Sequence, residues 1–206
     1  MTVGIYLIII LILGYSSVNI RERMGLKWLK PFTWLGIFIH EASHALACII
    51  TGGKVVGFHI SSTAGSVSHY KSKVPIIGPM LIAIAPIFGG LLAVGALNQF
   101  WLGTSLGFVS SNVWETFLVV VLSLNFSTLA TWVLIILFLN IGVMLGPSIQ
   151  DLKNIWPLVI VSFFIKSEEV AQILALVIVL IVINIILFLL IWLIKSLFKK
   201  PTYGNY

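Results

Sequence analysis

Five stretches of this chain, Val3–Ile20, Phe32–Ile50, Val74–Leu97, Phe117–Asn140 and Val170–Ile194, are apolar almost throughout. A helix crossing the hydrocarbon layer, roughly 30 Å thick, needs about 20 such residues. A sixth stretch, Ile155–Ile165, contains Pro157 and at about 1.5 Å per residue reaches only half way across. The expected fold is an all-α membrane protein: a polytopic helical bundle with five to six transmembrane helices. Charge supports this, because 12 Lys/Arg and 6 Asp/Glu make only 9% of 206 residues. A soluble domain carries about a quarter. A water-soluble enzyme, a disordered segment and a nucleic-acid-binding domain are excluded, and the lipid bilayer is the expected surrounding. The single cysteine, Cys48, excludes an internal disulfide and a multi-thiolate metal site, and reads as a small packing residue.

The connections are short, so residues 1–206 read as one integral membrane domain. Residues 3–20 form a peripheral first helix, 31–152 a core, and 153–206 the C-terminal helices. No cation precedes Val3–Ile20 and no small-residue cleavage site follows it, so it is expected to stay as a helix. Arg21–Lys30 suits a basic turn at headgroup level. Within 53–70, Lys54–Ser61 and Ser66–Tyr70 are rich in strand-forming residues and flank Thr63-Ala64-Gly65, which predicts a short β-hairpin. Asn98–Glu115 is a Gly/Ser-rich loop, and Gly146-Pro147-Ser148 ends any helix running on from the fourth stretch. Trp28, Trp34, Trp101, Trp114 and Trp156 lie near predicted span ends, where aromatic belts form.

The second stretch carries three ionisable side chains in five positions: His40-Glu41-Ala42-Ser43-His44. Each such group costs energy inside a membrane, so the cluster asks for a function. The spacing is HExxH. Residues four apart share a helix face, so His40 and His44 can present ring nitrogens to one metal ion. Glu41 is offset by about 100° and can reach a water at the metal without being a ligand. A pair of buried histidines bonded to neighbouring helices is the bland alternative, and it leaves three polar groups in an apolar span unexplained.

A catalytic zinc site takes three protein ligands and keeps one position open. The candidates for the third are His59, His69, Glu115, Asp151, Glu168 and Glu169. The motif lies in the second half of its helix, near the face reached at residue 51. The next helix leaves that face and the following one returns to it, which places Asp151 on the right side and Glu115 on the wrong one. His59 and His69 fall in the hairpin, and Glu168 and Glu169 flank a span as solvated charges usually do. Asp151, the only aspartate, is the favoured ligand. Its competing role is a helix N-cap beside Lys153.

From about Pro31 to Asp151 the chain resembles the site-2 protease family of intramembrane zinc metalloproteases. The resemblance rests on HEASH inside an apolar helix, the following Gly52-Gly53 and strand-rich loop, Ala85-Pro86, and the distal Asn140…Pro147…Asp151 segment. Around the aspartate the chain reads Ser148-Ile149-Gln150-Asp151-Leu152, a Pro-Ser-x-x-Asp form similar to small prokaryotic members. The resemblance implies one Zn2+ per chain, held by His40, His44 and Asp151, with Glu41 as catalytic base. It implies hydrolysis of a peptide bond in or near a transmembrane segment of a membrane-protein substrate. The hairpin would offer an edge to the unwound substrate, and the Asn140 amide would either hold substrate backbone or the oxyanion or make a helix-packing hydrogen bond. Ser43, Ser61, Ser62 and Gln150 are available to line a water path.

The implied location is a prokaryotic cell membrane, with a regulatory membrane partner or a homo-oligomer as further associates. Family orientation puts the zinc near the cytoplasm, whereas the basic Arg21–Lys30 loop favours the opposite sense. Two other readings remain open here. One is a membrane metal-binding or transport protein. The other is a different HExxH membrane protease, such as one processing prenylated C-termini.

Overall fold

The computed structural model of the protein describes residues 2–23, 33–61, 65–70, 72–97, 110–142 and 145–198. Among these residues the chain forms seven helices and one hairpin. The order is α1 (Val3–Arg23), α2 (Trp34–Ile50), β1 (Val55–Ile60), β2 (Gly65–His69), α3 (Ile77–Leu97), α4 (Val113–Leu122), α5 (Leu129–Gly142), α6 (Ile149–Ser162) and α7 (Glu168–Leu197).

A helix that is apolar all round belongs in the middle of a bundle, and α7 occupies that place. Ala175, Val177, Val179 and Ile181 have no exposed surface, and α1, α4 and α5 all pack on this helix. α1 also lies against α6, with Tyr6, Leu7 and Ile10 buried. One polar residue sits inside the apolar length of α7. Asn184 is fully buried, donates through Nδ2 to the Phe138 carbonyl of α5 at 2.7 Å, and accepts from Ser17 Oγ of α1 at 3.4 Å. A satisfied amide of this kind joins three helices where hydrophobic burial alone cannot choose between registers.

The functional half of the molecule is built on the α2–α3 pair. Ile37, His40, His44 and Cys48 follow a 3-4-4 spacing and form the buried stripe of α2. Trp34, Phe38, Leu46, Ile49 and Ile50 cover the outward face and are exposed, as a lipid-facing surface requires. α3 approaches α2 closely because Gly89 has no side chain: a Cβ there would fall 1.9 Å from Ser43 Oγ. That hydroxyl bends back to the Ile39 carbonyl at 2.5 Å. After α2 the chain enters the hairpin, whose antiparallel register pairs Ile60 with Gly65, Phe58 with Val67 and Gly57 with Ser68. Both strands rest on α2.

Among the described residues three helices, at Val3–Ile20, Ile77–Ala96 and Glu168–Leu197, are long and apolar enough to cross a membrane. α2, α4 and α5 are apolar but have only 17, 10 and 14 residues. α6 also has 14, or roughly 21 Å. The stretch Phe117–Asn140, expected as one span, is in fact two helices, α4 and α5. The break has a local cause in Asn125. Its side chain accepts from Ser127 N at 3.1 Å and its carbonyl accepts from Thr128 N and Thr128 Oγ1. These turn bonds compete with the helical ones, and Trp132 Nε1 closes the turn on the Phe126 carbonyl at 3.0 Å. Hydropathy does not register this, since Leu124 and Phe126 keep the window apolar.

The strands match their expected limits to within a residue, except that Gly65 opens β2 instead of completing the turn. Residues 62–64, most of Arg21–Lys30 and of Asn98–Glu115, Trp28 and Trp101 lie outside the described residues. Trp34, Trp114 and Trp156 are exposed, as belt residues should be.

Replacing Asn184 by Leu removes the bonds to Phe138 and Ser17 together. The expected loss is about 0.5–2 kcal/mol, read as a lower unfolding midpoint in detergent. An unchanged midpoint would show that the amide does not join α1, α5 and α7.

Candidate metal centre

His40 and His44 are buried on successive turns of α2, at 7% and 9% exposure, and Asp151 of α6 is buried beside them at 7%. The two Nε2 atoms stand 3.2 Å apart. Asp151 Oδ1 lies 3.5 Å from His44 Nε2, and Oδ2 lies 3.8 Å from His40 Nε2. Ligand atoms of all three residues fall within 4.8 Å of one another, the one such group found among the described residues. With bonds of 2.0–2.1 Å, two ligands of a tetrahedral zinc are about 3.3 Å apart. The observed separations bracket that edge from both sides. Two imidazole nitrogens and one carboxylate oxygen also form a donor set of the kind zinc accepts. The residues fit the ion.

Two of the three donors, His44 and Asp151, are held by partners outside the centre. His44 Nδ1 lies 2.7 Å from the Ile82 carbonyl of α3. A carbonyl only accepts, so Nδ1 carries the proton, and a neutral ring then leaves Nε2 bare and turned to the centre. Asp151 is fixed by the start of its own helix. Ser148 is the N-cap of α6; its backbone N–H and its Oγ donate to Asp151 Oδ2 at 2.8 and 2.6 Å. Asp151 N donates back to Ser148 Oγ at 3.2 Å. The N-cap role weighed for Asp151 falls to Ser148 instead, with the aspartate at the third helical position. The aspartate belongs to a capping box, which favours a negative charge at a helix N-terminus, and it faces the histidines. Outer bonds that orient a ligand in this way are half of a metal site's construction.

Glu41 follows His40 on α2 and lines the same cleft, which has a volume of about 980 Å³. β2 lies directly against it. A Cβ on Gly65 would fall 2.6 Å from Glu41 Cγ and 2.7 Å from Ile37 Cγ2, so glycine is what lets the strand reach the motif. Gly65, Ser66, Val67 and His69 of β2 form one wall of the cleft. Ser148, Gln150, Asp151 and Asn154 of α6 contribute a second, and Ser72, Pro75 and Ile76 lie on the approach to α3.

The water path is therefore only partly the expected one. Gln150 lines the cleft, but Ser43 is turned into the α2–α3 contact, Ser61 is not in the lining, and Ser62 lies outside the described residues. Ser66, Ser72 and Asn154 supply the polarity instead. Asn154 was legible in principle, standing one helical turn after Asp151 and hence on its face. Asn140 is not part of the lining. Its Nδ2 lies 3.4 Å from the Ile136 carbonyl, and its Oδ1 is buried without a hydrogen-bond partner among the described residues. Of the remaining ligand candidates, His59 is exposed on β1 and His69 lines the cleft from β2. Glu115 sits in the first turn of α4, and Glu168 and Glu169 sit in the first turn of α7, all exposed.

The chain matches the family model described as Peptidase M50B-like over residues 3–165, which includes α1 and the whole of the centre. No curated protein and no solved structure matches it.

Ser148→Ala removes two of the three bonds in the capping box and leaves the ligands themselves intact. Metal affinity should fall about tenfold or more in a competition titration against a chelator. Affinity equal to wild type would show that the box does not orient Asp151.

Proposed function

The chain belongs to the Peptidase M50B-like family, a metalloprotease family, and from that membership we propose that it is an intramembrane zinc endopeptidase. The observation that carries the reading is the convergence of His40, His44 and Asp151 in one cleft with Glu41, under the strand β2. His40, His44 and Asp151 hold the zinc. When bound, zinc supplies Lewis acidity, lowering the pKa of water and polarising a carbonyl.

The remaining chemistry belongs to side chains of this protein. Glu41 accepts the proton of the attacking water at its carboxylate. The water oxygen bonds to the peptide carbonyl carbon, the C–N bond breaks, and the proton passes from Glu41 to the departing nitrogen. The substrate is a transmembrane or membrane-adjacent segment of another protein. A helical carbonyl is already hydrogen-bonded along its own helix, so the segment unwinds before it is cut. The edge of β2 away from β1 accepts it as an added strand, with Gly65 bringing that strand next to Glu41.

This reading also separates the protein from a metal carrier. A carrier needs no proton acceptor beside its ligands, whereas Glu41 lies in the cleft and outside the ligand set.

The test compares the membrane proteome of cells expressing wild type, Glu41→Gln or Gly65→Ala by mapping new peptide termini. Wild type should produce termini within or beside transmembrane segments. Glu41→Gln should abolish them while keeping its zinc, and Gly65→Ala should strongly reduce them, also with zinc retained. Termini that persist in Glu41→Gln, or that are absent with wild type, would overturn the reading.

A further inference from the structure

α3 is a single helix from Ile77 to Leu97 with Pro86 in its interior. In an α-helix the carbonyl of residue 82 accepts from the amide of residue 86. Proline has no N–H, and its ring also crowds the carbonyl four residues back. Pro86 thus does two things to the Ile82 carbonyl: it removes its donor and presses it off the helix axis. A buried carbonyl left in this state needs another partner, and Ile82 is 6% exposed. The partner present is His44 Nδ1, on the adjacent helix at 2.7 Å.

We infer that Pro86 is a positioning residue for the metal centre, acting through the Ile82 carbonyl to fix the tautomer and orientation of His44. The inference rests on the zinc reading of the centre, and it adds a cause for the bare Nε2 that the reading requires. The proline touches neither metal nor substrate. Its effect is to open an acceptor in an otherwise self-satisfied helix, at the one level where a ligand histidine can donate to it. With any other residue at position 86, its amide would take up that carbonyl, and the His44 N–H would have to share it. The ring would then be free to turn over or to carry its proton on Nε2. Pro157 in α6 provides an internal control, because it lies in the same way within a helix, while the carbonyl it frees, that of Lys153, is not the partner that holds His44 or Asp151.

The experiment uses the full chain in detergent, with 15N-labelled histidine, in wild type, Pro86→Ala and Pro157→Ala. In metal-free wild type, the nitrogen shifts of His44 should report a protonated Nδ1 and a bare Nε2. Pro86→Ala should shift His44 towards the Nε2-protonated tautomer and weaken zinc about ten- to hundredfold in chelator competition. Pro157→Ala should leave both unchanged.

The inference is overturned by wild-type His44 protonated on Nε2, by Pro86→Ala with wild-type tautomer and affinity, or by equal losses in the two proline variants. The tautomer is read without metal, so it decides the Pro86–His44 link even if zinc binding itself fails, and Pro86→Ser, which restores the same amide, carries the comparison if Pro86→Ala does not fold.

Discussion

An aspartate and two imidazoles buried in an apolar bundle set the terms for everything around them. A charged side chain at the centre of a spanning helix costs about 2.5–3.5 kcal/mol on insertion scales, and any buried polar group costs more when its hydrogen bonds are left unmade. The structure meets this by giving two of the three donors fixed outer partners. Ser148 holds Asp151 from the start of α6, and the Ile82 carbonyl holds His44 from α3. Both partners come from helices other than α2, so the centre exists only when α2, α3 and α6 are together. Gly89, which lets α3 close on α2, and Gly65, which lets β2 close on Glu41, are part of the same arrangement.

The bundle around the centre follows from the same solvent argument. Along Leu174–Asn184 α7 is largely buried and can be apolar without discrimination, so register must come from something else, and Asn184 provides it. α2 has two unlike faces, the histidine stripe inward and Trp34, Phe38, Leu46 and Ile49 outward. Its outward face is too apolar for water and suits hydrocarbon. The short helices α2 and α6 carry the centre, with α3 beside them, while the longest, α7, stands away from the cleft lining. Short elements with irregular backbone between them, such as the stretch leading to Ser148, are tolerated at depth where they border a cavity.

How much of this could be read in the sequence depends on how local the cause is. The HEASH spacing is a property of one helix, and its two histidines share a face as soon as that helix forms. The hairpin was legible because alternation and a turn signal sit within 20 residues. Asp151 is distant in sequence, so it required topology and the family resemblance, and no signal local to it separated the ligand role from a capping one. The division at 123–128 was not legible to hydropathy, because Asn125 acts through its own turn bonds while its neighbours stay apolar. Ser43 was misassigned to the water path because nothing local shows that Gly89 lies over it. Asn154, Ser66 and Ser72 were missed because cleft lining depends on how α6, β2 and the approach to α3 meet. Pro86 was visible as a residue, but its purpose needed the partner helix.

One centre, built from three residues of two helices, carries the proposed chemistry. The most direct measurement is the metal content of the purified, chelator-free chain beside His44→Ala and Asp151→Ala. About one zinc per wild-type chain, lost in both variants while each remains folded, is the result this account predicts. Zinc retained in full by Asp151→Ala, or no divalent metal in wild type, would contradict it.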